Sequence, residues 1–214
     1  GLGDVYKRQG LWLPPKKIIS ILGEKQGETL ISALGSAPNL VFSIIEENKI
    51  EKDICILNIR GGEYKRHKDL ILPRDYWVNA MKNYKINFKI DKFLIVTDDY
   101  RYAKNIFPKF QIIHGDIGRC YASIYNSSNL ILSNSSFSYF PCKTGKNKRI
   151  IAPMYWSRPN NKYGRWASPC NIYEGWLWQD IKSNLKTYDE CLKIANKTSV
   201  YYRKEFTVLI KPTD

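Results

Sequence analysis

Short apolar runs recur through the middle of the chain: ICILNIR (54–60), FLIVT (93–97), FQIIH (110–114), NLILS (129–133) and RIIAP (149–153). Each is rich in β-branched or leucine residues and bounded by polar or turn residues, the pattern of buried strands. The stretches between them repeat at helical spacing. RDYWVNAMKNY (74–84) sets Tyr76, Ala80 and Met81 on one face, and DDYRYAKNIF (98–107) and GRCYASIYNSS (118–128) follow the same rule. Regular alternation of strand and helix predicts an α/β fold with a mostly parallel sheet covered on both faces. Upstream, NLVFSIIEEN (39–48) reads as an amphipathic helix leading into the first strand. Downstream, TYDECLKIANKT (187–198) reads as a terminal helix with Thr187 as its cap. Residues 155–175 are rich in Asn, Arg, Pro and Trp and are expected to form an ordered loop or surface wrap. The opening GLGDVYKRQ shares no periodicity with the rest and reads as an artefactual lead over 1–10, which implies that the natural N-terminal part is missing.

Four predicted strands end in polar sequence: Arg60-Gly61-Gly62, Thr97-Asp98-Asp99, His114-Gly115-Asp116 and Ser133-Asn134-Ser135-Ser136. In an open parallel sheet, ligands sit outside the carboxyl ends of the strands, so the four ends converge on one candidate site. Arginine followed by glycines offers a bidentate fork and closely approaching backbone amides to a phosphate, or else simply opens a glycine turn. The serines after Asn134 can cap a helix and also present its free amides to an anion. Asp98 and Asp99 can cap the next helix or accept the N1 and N2 edge of guanine. Neither G-x-G-x-x-G nor G-x-x-x-x-G-K-[ST] occurs, and His67 and His114 stand isolated.

Charge and cysteine content narrow the picture. Lys and Arg number 34 against 20 Asp and Glu, a formal net charge of +14, so an anionic ligand or surface is expected. The basic runs KRHK (65–68) and GKNKR (145–149) are short, and no zinc-finger, homeodomain or RNA-binding signature accompanies them. Nucleic acid is therefore not the expected partner. The five cysteines form no C-x-x-C pair and lie near no His pair at ligand spacing, which predicts reduced, structural thiols and no metal site. No apolar run approaches the ~18 residues of a membrane span, so any membrane contact would be peripheral.

The succession NIRGGEY (58–64), LPRDYW (72–77), FLIVTDD (93–99), NLILSNSSFSYF (129–140) and IIAPMYW (150–156) resembles, in order and spacing, the bacterial α-1,2-fucosyltransferase family of inverting glycosyltransferases. Its three motifs are H-x-R-R-x-D, an apolar strand ending in Ser or Thr with two acids, and N-S-S-F-S followed by aromatics. The resemblance spans residues 52–156. It implies a Rossmann-like, GDP-fucose-binding half of a two-domain GT-B fold over 51–180, a remnant of the acceptor domain or a linker over 11–50, and a C-terminal helix and tail over 181–214. Arg60 would meet the donor pyrophosphate, with Asp98, Asp99, Asn134, Ser135 and Ser136 lining the donor pocket. Glu63 would be the general base or an ion-pair partner of Arg60, the base in the latter case lying in the missing half. Asn58, Gly61 and Glu63 stand where the family keeps its histidine, second arginine and aspartate. The implied reaction uses no metal or other cofactor, with GDP-fucose as donor and a glycan as acceptor. It would take place in the cytoplasm, with peripheral contact at the inner membrane, during surface polysaccharide or lipopolysaccharide synthesis. Two alternatives stay open: a transferase for another nucleotide sugar, and a non-enzymatic basic module binding nucleic acid or anionic lipid through KRHK and GKNKR.

Overall fold

The computed structural model describes residues 45–66, 70–144, 148–154, 172–180, 182–194 and 196. The strands are β1 (Ile54–Ile59), β2 (Lys92–Thr97), β3 (Ile112–Ile113), β4 (Asn129–Leu132), β5 (Arg149–Pro153), β6 (Leu177–Gln179) and β7 (Leu185–Lys186). Helices α1 (Arg74–Phe88), α2 (Tyr100–Ile106), α3 (Ile117–Asn126) and α4 (Ser136–Thr144) connect the first five, and a 3₁₀ turn at Glu63–Arg66 follows β1. Strand and helix alternate as the sequence pattern predicts. The helix predicted at 187–198 is helical over 188–194, opened by a capping box: Glu190 N–H donates to Thr187 Oγ1, and the Glu190 carboxylate accepts the Thr187 N–H. Of the helix predicted at 39–48, residues 45–47 are helical; 39–44 lie outside the described residues, as do the lead at 1–10 and most of 155–175.

The seven strands form one sheet in the order β3-β2-β1-β4-β5-β6-β7, parallel throughout except for β7, which pairs antiparallel with β6. The six parallel strands thus run 3-2-1-4-5-6, the order of Rossmann-like sheets, in which the chain reverses its direction of growth between strands 1 and 4. Side-chain alternation along the strands supplies both faces. Cys55, Leu57, Ile59, Ile95, Ile131 and Ile151 are buried under α1 and α2, against Trp77, Ala80, Tyr84, Ala103 and Phe107. Ile56, Val96, Leu130, Leu132, Ile150 and Trp178 are buried on the opposite face with Cys120 and Ile124 of α3 and Cys142 of α4. Packing on both faces of the central strands explains why these runs read as continuously apolar. Cys55, Cys120, Cys142 and Cys191 are buried free thiols, and burial pushes Cys120 up to about 11 and Cys142 up to about 12. They act as small apolar residues.

Buried polar side chains pin this sheet at both ends. At the amino end, Asn129 donates from Nδ2 to the carbonyls of Lys52 (2.7 Å) and Ile54 (3.2 Å), while its Oδ1 accepts from Tyr84 Oη. The β6–β7 hairpin is tied to α1 by Asn83, which donates to Gln179 Oε1 and the Ser183 carbonyl, and by Gln179 Nε2, which donates to the Tyr76 carbonyl at 2.9 Å. Among the described residues, no helix is long and apolar enough to cross a membrane.

One residue of the predicted basic run GKNKR has a structural task. Lys148 turns inward and donates from Nζ to the carbonyls of Ile124 (3.0 Å), Tyr125 (2.6 Å) and Ser127 (2.7 Å), closing the carboxyl end of α3. Cations favour that end of a helix because its last carbonyls have no partner within the helix. Burial pulls the ammonium down to about 8. Lys148→Met should keep the aliphatic packing but strand the three carbonyls. The expected loss is about 1–2 kcal/mol of unfolding free energy in a urea titration; an unchanged midpoint would remove Lys148 from the account of α3.

Candidate functional site

The carboxyl ends of β1, β2 and β4 meet where the strand order reverses, and the side chains there are held by one another. Asn58, 1% exposed, lies on the α3 side of β1. Its Nδ2 donates to the Val96 carbonyl (3.4 Å) and its Oδ1 accepts from Ser133 Oγ (3.2 Å), so it stitches β2, β1 and β4 together. A buried amide satisfied on both atoms is a rigid floor.

Arg60 emerges from that floor. Its Nη1 sits 3.1 Å from Asp98 Oδ2, its Nη2 lies 4.0 Å from Glu63 Oε1, and its guanidinium stands 5.5 Å from the centroid of the Tyr64 ring. Asp98 Oδ1 accepts the Gly61 N–H at 2.9 Å. The glycines after Arg60 therefore have a specific steric reason. A Cβ on Gly61 would stand 2.7 Å from Tyr102 Cδ1 and 2.8 Å from Asp99 Cβ, and one on Gly62 would stand 2.3 Å from Asp98 Oδ2. Bare backbone at 61 and 62 lets the loop after β1 press against the loop after β2. Close approach to Asp98 and Asp99 is a use of these glycines beyond the phosphate contact or plain turn read from the sequence, and the Gly61 amide donates to a carboxylate.

Asp99 is the N-cap of α2. Its Oδ1 accepts the Tyr102 N–H (3.0 Å), and its other oxygen pairs with Lys65. Lys65 and that amide hold its carboxyl below the usual carboxylate range. Asp98 and Asp99 thus have different roles, one on Arg60 and one on the helix. Lys65, from the run KRHK, is occupied by Asp99; His67 and Lys68 lie outside the described residues.

The 3₁₀ turn after Gly62 carries Tyr64 across to β4. Tyr64 Oη donates to the Asn134 carbonyl at 3.3 Å, so the aromatic ring over Arg60 also touches the third motif. Burial pushes the Tyr64 hydroxyl up from its ordinary value, keeping it a donor. Ser135, 2% exposed, uses its Oγ to accept the Phe137 N–H (3.3 Å) and its carbonyl to accept Ser138 Oγ (2.8 Å). It is a helix cap for α4, as its position before a predicted helix suggested. Ser136 is the first residue of α4. Asn134 differs from all of these. It is 4% exposed, yet neither Nδ2 nor Oδ1 has a hydrogen-bond partner among the described residues, and neither does Arg60 Nε. Buried polar atoms without partners are rare in folded proteins, and here two such groups flank Tyr64 at the switch point of the sheet. Glu63, by contrast, projects outward with its side chain 73% exposed.

A cavity of about 350 Å³ opens beside Arg60 on the α3 side. Asn58, Thr97 and Asp98 form its polar edge, and Val96, Cys120 and Phe137 its apolar wall. Gly115, at φ 93°, turns the chain from β3 into α3 at the rim, a conformation that favours glycine. A mixed apolar and polar concavity of this size accommodates a planar heterocycle or a sugar ring. Tyr100, 42% exposed, packs against His114 with ring centroids 4.7 Å apart and planes tilted by 42°; both residues follow strand ends. Among the described residues, no group of three His, Cys, Asp or Glu side chains is placed to hold a metal ion.

The structure thus brings Arg60, Glu63, Asp98, Asn134 and Ser135 around Tyr64 and the loop of Gly61 and Gly62, and sets Asp99 one step away under α2. The sequence marked Asn58 only as a departure from the family motif, without a task of its own, and did not mark Tyr64. A polar residue within an otherwise apolar strand was the available signal for Asn58. Comparisons of the chain with protein-family models, with curated proteins and with solved structures each find no match.

Proposed function

We propose that this chain is the donor-binding part of an inverting glycosyltransferase of the GT-B type that takes fucose from GDP-fucose and places it on a sugar hydroxyl. The observation that carries the reading is the pair of unpartnered buried groups, Arg60 Nε and the Asn134 amide, at the point where the sheet order reverses. An arginine and an amide there suit a phosphorylated sugar. Guanidinium N–H groups donate to phosphate oxygens, and an amide donates from its nitrogen to a phosphate or hydroxyl and accepts at its oxygen from a hydroxyl. The motif order described from the sequence supplies the identity of the donor; other sugar nucleotides fit the same chemistry.

In this reading, the acceptor hydroxyl oxygen attacks the anomeric carbon of the donor as the bond to the diphosphate oxygen breaks. The bonding pair leaves on the diphosphate, and Arg60 stabilises that growing negative charge. The acceptor proton must pass to a base. Glu63, exposed and 4.0 Å from Arg60, is the candidate to take it or to hold the guanidinium, the base otherwise lying in the acceptor-binding part. The glycan acceptor, the setting in surface polysaccharide synthesis and peripheral contact of a basic protein with an anionic membrane belong to the same proposal.

A thermal-shift titration tests it. GDP at 100 times its dissociation constant should add about 2.7 kcal/mol of stability, or roughly 5–10 °C in a domain of this size. GDP-fucose and GDP-mannose should act similarly, and UDP-sugars much less. No response to any of these nucleotides would sink the donor-binding reading.

A further inference from the structure

The donors expected to receive a ligand phosphate are already taken by the protein itself. Asp98 Oδ2 is 3.1 Å from Arg60 Nη1, and Asp98 Oδ1 accepts the Gly61 N–H at 2.9 Å. A guanidinium and a glycine-loop amide converging on one anion form a phosphate-type cradle. The missing Cβ of Gly62 is what lets the carboxylate enter, since a Cβ there would come within 2.3 Å of Asp98 Oδ2. We propose that Asp98 is an internal occupant of the anion cradle, an autoinhibitory contact that a multiply charged phosphate ligand must displace. The proposal rests on the nucleotide-sugar reading and adds a selection rule to it.

The rule follows from charge. Asp98 brings one negative charge at no loss of translational freedom, because it is tethered to β2. A phosphate and the Asp98 carboxylate cannot share Nη1 without lying within a few ångströms of each other, where like charges repel strongly at a partly buried site. A diphosphate carries more charge than the carboxylate, so it competes where a singly charged anion does not. The Asp98 side chain is already 24% exposed, so its release moves the carboxylate toward water rather than into apolar surroundings. A ligand that binds only the open state has its affinity reduced by the fraction of molecules that are open, and removing the occupant restores it.

Inorganic pyrophosphate isolates the cradle from any contact Asp98 makes with a base. Asp98→Asn keeps the shape and removes the charge. By titration calorimetry it should bind pyrophosphate on the order of 10-fold tighter than the wild type. Equal or weaker binding by a folded Asp98→Asn protein would overturn the proposal and make Asp98 a residue that positions Arg60. A second measurement needs no variant. The ¹³C carboxyl resonance of Asp98 in the wild-type chain should move toward its solvent-exposed position as pyrophosphate saturates the site, and a resonance that stays in place under saturation would equally overturn it. GDP binding to the wild type with no gain in the variant would leave the donor reading standing and remove only the occupant. If neither GDP nor pyrophosphate bound either protein, both would fall.

Discussion

Arg60→Ala should lose GDP binding by about 100-fold or more in titration calorimetry, because each hydrogen bond to a charged phosphate contributes about 1.5–3 kcal/mol and the guanidinium can make two. The residue is also placed by its surroundings. The Tyr64 ring packs against it and Asp98 pairs with it, so the side chain is ordered before a ligand arrives. Arg60→Lys is the informative companion. An ammonium restores charge but not the planar fork, so it should recover only part of the affinity. The alanine variant leaves Asp98 without its guanidinium while the Gly61 N–H still binds it. With the Asp98 side chain 24% exposed, the stability cost is small, about 1 kcal/mol or less after solvent screening. A large loss of GDP affinity with a near-normal urea midpoint is the expected pattern. Unchanged GDP affinity would take Arg60 out of the site.

Gly61→Ala should destabilise the fold by about 1–3 kcal/mol, and Gly61→Arg by more, read as a drop in urea midpoint at constant slope. The added methyl would meet Tyr102 Cδ1 at 2.7 Å and Asp99 Cβ at 2.8 Å, and both belong to the anchored start of α2. Neither atom is the far end of a flexible chain. This bears on the resemblance, since Gly61 stands where the family keeps its second arginine. In this chain a side chain at 61 has no room, because Asp99 and Tyr102 already fill that space. An alanine variant within 0.5 kcal/mol of wild type would show that the two loops separate easily, and the close approach would lose its significance.

How much of this was legible in the sequence differs by feature. The five apolar runs became β1 to β5 because residues packed on both faces leave a continuous apolar signature. β6 and β7 were not foreseen. Leu177–Gln179 and Leu185–Lys186 are too short to set a period, and their pairing with β5 and with each other comes from tertiary position. At the strand ends, the sequence supplied the right residues with several uses left open. Asp99 caps α2 and Ser135 caps α4, the local uses that Asp and Ser commonly have. Asp98 turned to Arg60, a long-range contact no local pattern encodes. Lys148 shows the same limit from the other side: in a run of basic residues it read as surface charge, yet its ammonium is buried against three carbonyls. Asn58 was visible as a departure from a motif; its task became plain only with Val96 and Ser133 beside it.

The seam between β1 and β4 has a further meaning in terms of chain closure. Its register joins Ile56 to Leu130 and Asn58 to Leu132, the largest separation along the chain of any strand pair in the sheet. Closing a longer loop costs more chain entropy. The crevice floor therefore lies on the junction that is entropically hardest to close. Asn58 to Ser133 and Tyr64 to Asn134 are side-chain ties across it, and a ligand held between Arg60 and Asn134 would add a third. A ligand that bound there would thereby be linked to the stability of that seam.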